Sequence, residues 1–431
     1  MKLLLLNDLN LSRWLSSFKK SLISTFSFIG LIHVRQLAAL TPKNHSVQIL
    51  DGNKTFDFDD EYDAVYITFK TPVANTAYKV ADEFRRRNVK VILGGYHPSV
   101  LPEEAKQHAD GVIVGGDTDI WPTLIKDLEN KKLKLLYKSM DCAKDVPKLN
   151  QNLIGPSSTK LVDIVQATHG CPYKCDFCQY TSIPDGFTFR TRPVEEVARE
   201  IDSLPHKIFV FNDASLTIDP SYTKSLFSEI KGLNKKFVCE GNVDILANDE
   251  EFLKLAYEAG CIEWTVGFES FSQKSLNDVH KKTNKVEEYA KAVKKLHDYN
   301  MAVVGTFVFG FEGDTVDTFD VTLNHIDKLK LDAAIFAILT PYPGTPLFKR
   351  LEVEGRILTK DWSKYTRKDV VFQPKNMTKE ELEEGYKEIT KHFNFFPRAT
   401  YRVFRTMSLG FYPSLATFAG NIGSYMASIG K

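Results

Sequence analysis

Apolar residues along this chain fall in short unbroken runs that alternate with longer stretches of helical periodicity. The runs Leu3–Leu6, Val47–Leu50, Ala64–Phe69, Val89–Leu93 and Gly111–Val114 are continuous enough for strands buried on both faces, as in a parallel sheet. Ala74–Arg87 between them keeps helical spacing. Five such strands predict a doubly wound α/β sheet over residues 1–140. Residues 141–160, rich in Pro, Gly, Asn and Ser, read as a linker. The alternation then resumes over 161–365. Strands are expected at Leu161–Gln166, Ile208–Phe211, Phe237–Glu240, Ile262–Phe268, Ala302–Phe309 and Ala333–Leu339, with helices such as Val194–Ile201, Phe252–Ala259, Val286–Tyr299 and Val316–Leu329 between them. Six β/α units predict a partial (β/α)6 barrel of the TIM type, whose chemistry belongs at the carboxyl ends of the strands.

From about Val371 the alternation stops, and residues 366–431 read as a helical extension that opens with a charged helix at Lys379–Lys391. Arg398, Arg402 and Arg405 then share one helical face, and Thr406–Gly430 carries no charge. In that stretch Leu415, Phe418, Ile422, Tyr425 and Met426 keep helical spacing opposite Ser, Thr, Asn and Gly. Two readings stand: a helix packed on the barrel or a second subunit, and peripheral contact with a membrane surface. A second apolar helix is expected from Trp14, Phe18, Leu22, Phe26 and Ile29. Both features lean toward a large apolar substrate.

Composition narrows the field. Lys+Arg 56 against Asp+Glu 55 leaves no basic excess for a nucleic acid. The opening MKLLLLNDLN is too short an apolar run for a signal peptide and reads as a first buried strand, so a reducing, cytoplasmic compartment is expected, with membrane association left open.

The chemistry lies in Cys171-Pro-Tyr-Lys-Cys175-Asp-Phe-Cys178, in the loop after the first barrel strand. Three thiolates on one short loop can hold three irons of a 4Fe–4S cube and leave the fourth open to a small molecule. The competing reading is a Cys3His zinc site with His169, which would make the chain a zinc-binding interaction module. Cys142, Cys239 and Cys261 stand alone, so no second C-x2-C pair supports zinc, and an odd set argues against a disulfide framework.

The C-x3-C-x2-C spacing, with an aromatic before its last cysteine, resembles the radical SAM superfamily. That resemblance implies a cluster on Cys171, Cys175 and Cys178, reductive cleavage of S-adenosylmethionine (SAM) to a 5′-deoxyadenosyl radical, and attack on an unactivated C–H bond. Further segments are similar to the family's strand mouths: Phe211-Asn-Asp213, Glu240-Gly-Asn242, Gly267-Phe-Glu269-Ser270, Gly305–Asp314 and Pro341-Tyr-Pro-Gly-Thr345. By this likeness Phe177, Asn212, Asp213, Glu240, Asn242, Glu269, Val308 and Gly310 are the expected SAM contacts, and a flavodoxin or ferredoxin the expected electron donor.

The first sheet, with Leu93-Gly94-Gly95-Tyr96-His97 and Val114-Gly115-Gly116-Asp117, resembles the cobalamin-binding-like domain that precedes many radical SAM enzymes. On that likeness Gly94, Gly95, His97, Gly115 and Gly116 are candidate contacts to cobalamin or substrate. The loop after the first strand departs from the D-x-H-x-x-G pattern, because Asp8 has no histidine two residues on. The sequence therefore leaves cobalamin open. With it, methyl transfer to carbon is the expected outcome; without it, oxidative cyclisation or C–C bond formation on a lipid or tetrapyrrole.

Overall fold

The computed structural model describes residues 1–8, 29–50, 56–139 and 162–429. The helix expected around Trp14–Phe26 and the linker at 141–160 lie outside these residues. Six strands form a first, wholly parallel sheet: β1 (Lys2–Leu6), β2 (Ser46–Ile49), β3 (Ala64–Thr68), β4 (Lys90–Gly94), β5 (Gly111–Val114) and β6 (Leu136–Lys138). Their order is β2-β1-β3-β4-β5-β6. Continuous apolar runs follow from burial on both sides. Leu4, Leu6, Val65 and Ile67 pack against α2 (Ala74–Arg86). Leu3, Leu5, Ala64 and Tyr66 pack against α1 (Ile29–Leu40) and α3 (Asp117–Glu129). The α/β expectation holds; only the three-residue edge strand β6 gave no apolar run to read.

The second sheet runs β14-β13-β12-β11-β10-β7, all parallel and each beside its sequence neighbour. Its strands are β7 (Asp163–Val165), β10 (Ile208–Phe211), β11 (Lys236–Gly241), β12 (Cys261–Glu269), β13 (Ala302–Phe309) and β14 (Ala333–Ile338). A hairpin of β8 (Thr168–His169) and β9 (Arg190–Thr191) interrupts the first crossover. The crossover helices include α4 (Val194–Asp202), α5 (Pro220–Ile230), α6 (Glu250–Ala259), α7 (Tyr289–Asp298) and α8 (Thr318–Leu329); α9 (Pro346–Val353) follows β14. Phe237, Trp264, Val266, Phe307 and Phe309 point outward into the core shared with these helices.

The opposite face lines the inside of a partial barrel. Toward the amino ends of the strands its residues Glu263, Ala302, Val304 and Ala333 are buried; toward the carboxyl ends Thr265, Thr306, Val308 and Ala337 are accessible and Ile335 is 50 % exposed. The barrel is thus a cup, closed below and open above.

Helix α10 (Lys379–Phe393) packs Leu382, Ile389 and Phe393 into the same outer core, and the floor is made by the helices that follow, α11 (Phe396–Thr406) and α12 (Phe411–Ile429). Asn421 on α12 donates to Asp332 O at 2.9 Å, Gly420 lies over Ala333, and Tyr412 meets Lys207 and Lys236 at the starts of β10 and β11. The expected stripe of three arginines breaks up here. Arg402 is buried against Asn421 Oδ1 (2.6 Å) and the Phe393 ring, Arg398 pairs with Asp327 (3.3 Å), and Arg405 pairs with Asp332 (3.0 Å).

The carboxyl edges of the two sheets meet. The Tyr96 hydroxyl, after β4, donates to Pro343 O after β14 at 2.7 Å. Phe348, Trp362 and Tyr365 join the apolar core on the α2 side of the first sheet, and Trp362 Nε1 donates to Glu104 at 3.1 Å.

Candidate functional site

The three cysteines sit on a loop that is pinned from several sides. Asp213, at the end of β10, accepts N–H bonds from Ala167 (3.1 Å) and Thr168 and the Thr168 hydroxyl bond (2.7 Å), fixing the chain just before the loop. Gly170 turns it at φ +80°, where a Cβ would lie 2.1 Å from Thr188 O, so only glycine fits. Cys171 N then donates to Gly186 O (2.9 Å) and Cys178 N to Cys175 O (3.0 Å). Between them Asp176 is a junction. Its N–H bonds Val279 O, its carbonyl accepts from Leu347 N at the start of α9, and its carboxylate meets His280 Nδ1 at 2.9 Å. The Phe177 ring packs edge-on against Phe311 beyond β13.

Burial pushes all three thiols above their ordinary range, Cys178 to about 12. The Lys281 ammonium works in the opposite direction on each. Lys281 bonds Glu269 Oε1 at 3.2 Å. Burial opposes its charge, but Glu269 first, and Cys175 after it, outweigh that and hold its pKa above the ordinary lysine value. The pair folds over Gly267, where a Cβ would stand 2.6 Å from Glu269 Oε1. Glu269 itself takes φ +63° at an irregularity in β12, which turns its side chain into the cup.

Glu240 ends β11 with an exposed side chain, yet its carboxyl is held near 7, first by burial. Water reaches it, but protein surrounds it: the position of a group on the wall of a hollow. Tyr180, 38 % exposed, stands within electrostatic reach of Cys178, Glu240 and Asp213. Asn242 opens the next helix and carries a buried side-chain Nδ2 with no hydrogen-bond partner among the described residues.

Glu240, Asn242, Glu269 and Val308 thus line one cup below the cysteine loop, and Asn212 sits half-buried at the end of β10. Three expected contacts have other duties. The carboxylate of Asp213 is taken up by Ala167 and Thr168, so it holds the cysteine loop in place of meeting a ligand's ammonium. Gly310, at φ +108°, would direct a Cβ toward Leu382 and Phe372, away from the cup, and its N–H is capped by Asp314. His97 is fully buried, with Nδ1 at 3.2 Å from Thr71 Oγ1 and Nε2 at 3.2 Å from Glu104, so neither nitrogen faces a ligand. Gly94 and Gly95 make room for Tyr66, Asp117 and Thr68. Gly116 precedes α3, and Gly115, at φ +91°, donates its N–H to Ser99 Oγ at 3.1 Å. Lys281, Asp176 and Tyr180 were missed. Lys281 lies twelve residues past Glu269 in a polar run, and no local pattern marks it as returning to the cysteines.

Among the described residues no three His, Cys, Asp or Glu side chains gather closely enough for a single metal ion.

Residues 165–326 match the sequence profile of the radical SAM superfamily, and 345–416 match a domain of unknown function. Bacteriochlorophyllide d C-8(2)-methyltransferase of Chlorobaculum tepidum is 31% identical over 364 residues, 78% of this chain and 79% of that protein. The chain belongs to the radical SAM superfamily. Bacteriochlorophyllide d C-12(1)-methyltransferase of the same organism is 29% identical to this radical SAM enzyme over 393 residues, 87% of this chain and 85% of the relative. In fold the enzyme matches OxsB, a cobalamin-dependent SAM radical enzyme solved with aqua-cobalamin and SAM bound. That match has a TM-score of 0.67 at 13% identity and covers 99% of this chain and 72% of OxsB. The radical SAM enzyme is of the methyltransferase or oxidoreductase type, built to functionalise C–H bonds.

Proposed function

We propose that this enzyme cleaves SAM at a 4Fe–4S cluster on Cys171, Cys175 and Cys178 and methylates a carbon of an apolar substrate, with cobalamin as methyl carrier. The carrying observation is the pinned loop that brings three free thiols beside the Lys281–Glu269 pair at the open end of the cup. The donor set fits: the thiols, held protonated by burial, would release their protons to solvent on binding iron, and a buried ammonium would offset the resulting negative charge. When bound, the cluster supplies the electron that splits the SAM sulfonium, and cobalamin supplies the methyl group.

The chain's own part is to bind and shield. Glu240, Asn242 and Tyr180 give one wall of the cup its polar groups, with the Asn242 donor free for a ligand. Val308, Ile335 and Ala337 make the facing wall apolar, which favours an apolar substrate standing across from a polar cofactor. Methyl transfer is favoured by the bacteriochlorophyllide methyltransferases that the chain resembles over most of its length. For cobalamin, the loop after β4 leads into Tyr96, which lies within electrostatic reach of Cys178 across the seam. Asp8, after β1, accepts from Lys70 N at 2.9 Å. With His97 also engaged, neither residue is left to ligate cobalt.

Anaerobic reconstitution tests the proposal. About four irons per chain, deoxyadenosine under dithionite, and loss of both in a Cys171/Cys175/Cys178→Ala variant are expected, with bound corrinoid in the wild type. Zinc without iron refutes the radical chemistry; iron and deoxyadenosine without corrinoid refute the methyl carrier alone.

A further inference from the structure

Helix α12 is mounted the wrong way round for an amphipathic helix. The face it lays on the barrel floor is small and polar: Pro413, Thr417, Gly420 and Asn421. Its large side chains point outward and continue those of α11. Phe396, Tyr401, Phe404, Met407 and Phe411 are each at least 61 % exposed and Phe418 is 49 % exposed. Contiguous apolar surface of this kind marks an interaction face.

Charge identifies the occupant. From Ile389 to Lys431 the sequence has no aspartate or glutamate. Exposed Lys391 ends α10 beside the patch, and Lys207 and Lys236 flank it at Tyr412, 5.5 and 5.8 Å from its ring. Among the described residues neither lysine has an ion-pair partner within 4.0 Å. A second copy fits poorly, because a two-fold interface joins this patch to itself, and residues 389–431 offer no carboxylate to answer the lysines. An anionic lipid surface answers both features, taking the aromatic side chains into its interfacial layer and the lysines onto its phosphates. No helix among the described residues is long and apolar enough to cross a membrane, so the contact is one of lying on the surface. We propose that α11 and α12 form a docking face for an anionic lipid bilayer, on the side of the barrel opposite the cysteines.

Co-sedimentation of the anaerobically purified full chain with vesicles tests this independently of catalysis. Binding is expected to vesicles containing phosphatidylglycerol, with markedly weaker binding to pure phosphatidylcholine and to either in high salt. Phe404→Ser/Phe411→Ser alters exposed positions only, and should lower the bound fraction at least about tenfold with an unchanged circular dichroism spectrum. Lys207→Gln/Lys236→Gln should remove the preference for phosphatidylglycerol while leaving residual binding. The proposal is overturned by wild type that ignores both vesicles, by binding indifferent to the phenylalanine pair, or by a wild-type dimer that the pair converts to monomer.

Discussion

Glu263 is the residue with the plainest energetic signature. It faces the barrel floor, its Oε2 has no hydrogen-bond partner among the described residues, and burial followed by the nearby Asp332 charge raises its carboxyl to about 7. The folded state therefore holds a proton that the unfolded state, with an ordinary value of 4.5, has released. Stability from this group must fall as pH rises from about 4.5 to 7 and stay flat above, a loss of about 3 kcal/mol. Glu263→Leu should remove that slope and stabilise the protein at pH 8 by about 2–3 kcal/mol, read as the difference between urea unfolding curves at pH 5 and pH 8. At this scale the sequence told half the story. The cysteines, Glu240, Asn242 and Glu269 stood out as candidates because each ends a strand or lies in the loop after one, and the fold gathers them around one cup. The bonds that engage Asp213 and His97, to Thr168 and Glu104, are set by folding and leave no local pattern.

Elements show the same division. The strands were legible because parallel strands buried on both faces must be apolar throughout. The tail helix was legible as a helix, but its orientation was not. An apolar stripe predicts an inward face, yet the barrel floor offers backbone carbonyls and the polar Asp332, which small polar residues such as Asn421 satisfy better. The cysteine loop depends on one clamp. Asp213→Ala orphans the Ala167 and Thr168 donors and should cost about 1–3 kcal/mol, with a fall in iron retained after reconstitution and gel filtration; Asp213→Asn should cost less. A second test is steric. A Cβ on Gly385 of α10 would lie 2.1 Å from the Phe319 ring of α8, so Gly385→Ala should destabilise by about 1–3 kcal/mol in thermal or urea unfolding.

Across the whole molecule, the two sheets are held edge to edge by a small polar joint in apolar surroundings. Burial works against the Glu104 charge, but His97, Tyr78 and Trp362 outweigh it and leave its pKa below the ordinary value of 4.5. The joint's contribution is therefore full above about pH 4.5 and lost as pH falls through the lowered value. Glu104→Ala should broaden or split the calorimetric transition as the halves uncouple, at a cost of about 1–3 kcal/mol. The closed floor carries a kinetic consequence. With α12 stopping the amino end, the described residues leave the cup open only at its carboxyl edge, so cofactor and substrate must share that doorway. Traffic through it becomes a queue: a substrate that enters ahead of SAM blocks the way. Excess substrate should therefore inhibit turnover at fixed SAM, and added SAM should lift that inhibition.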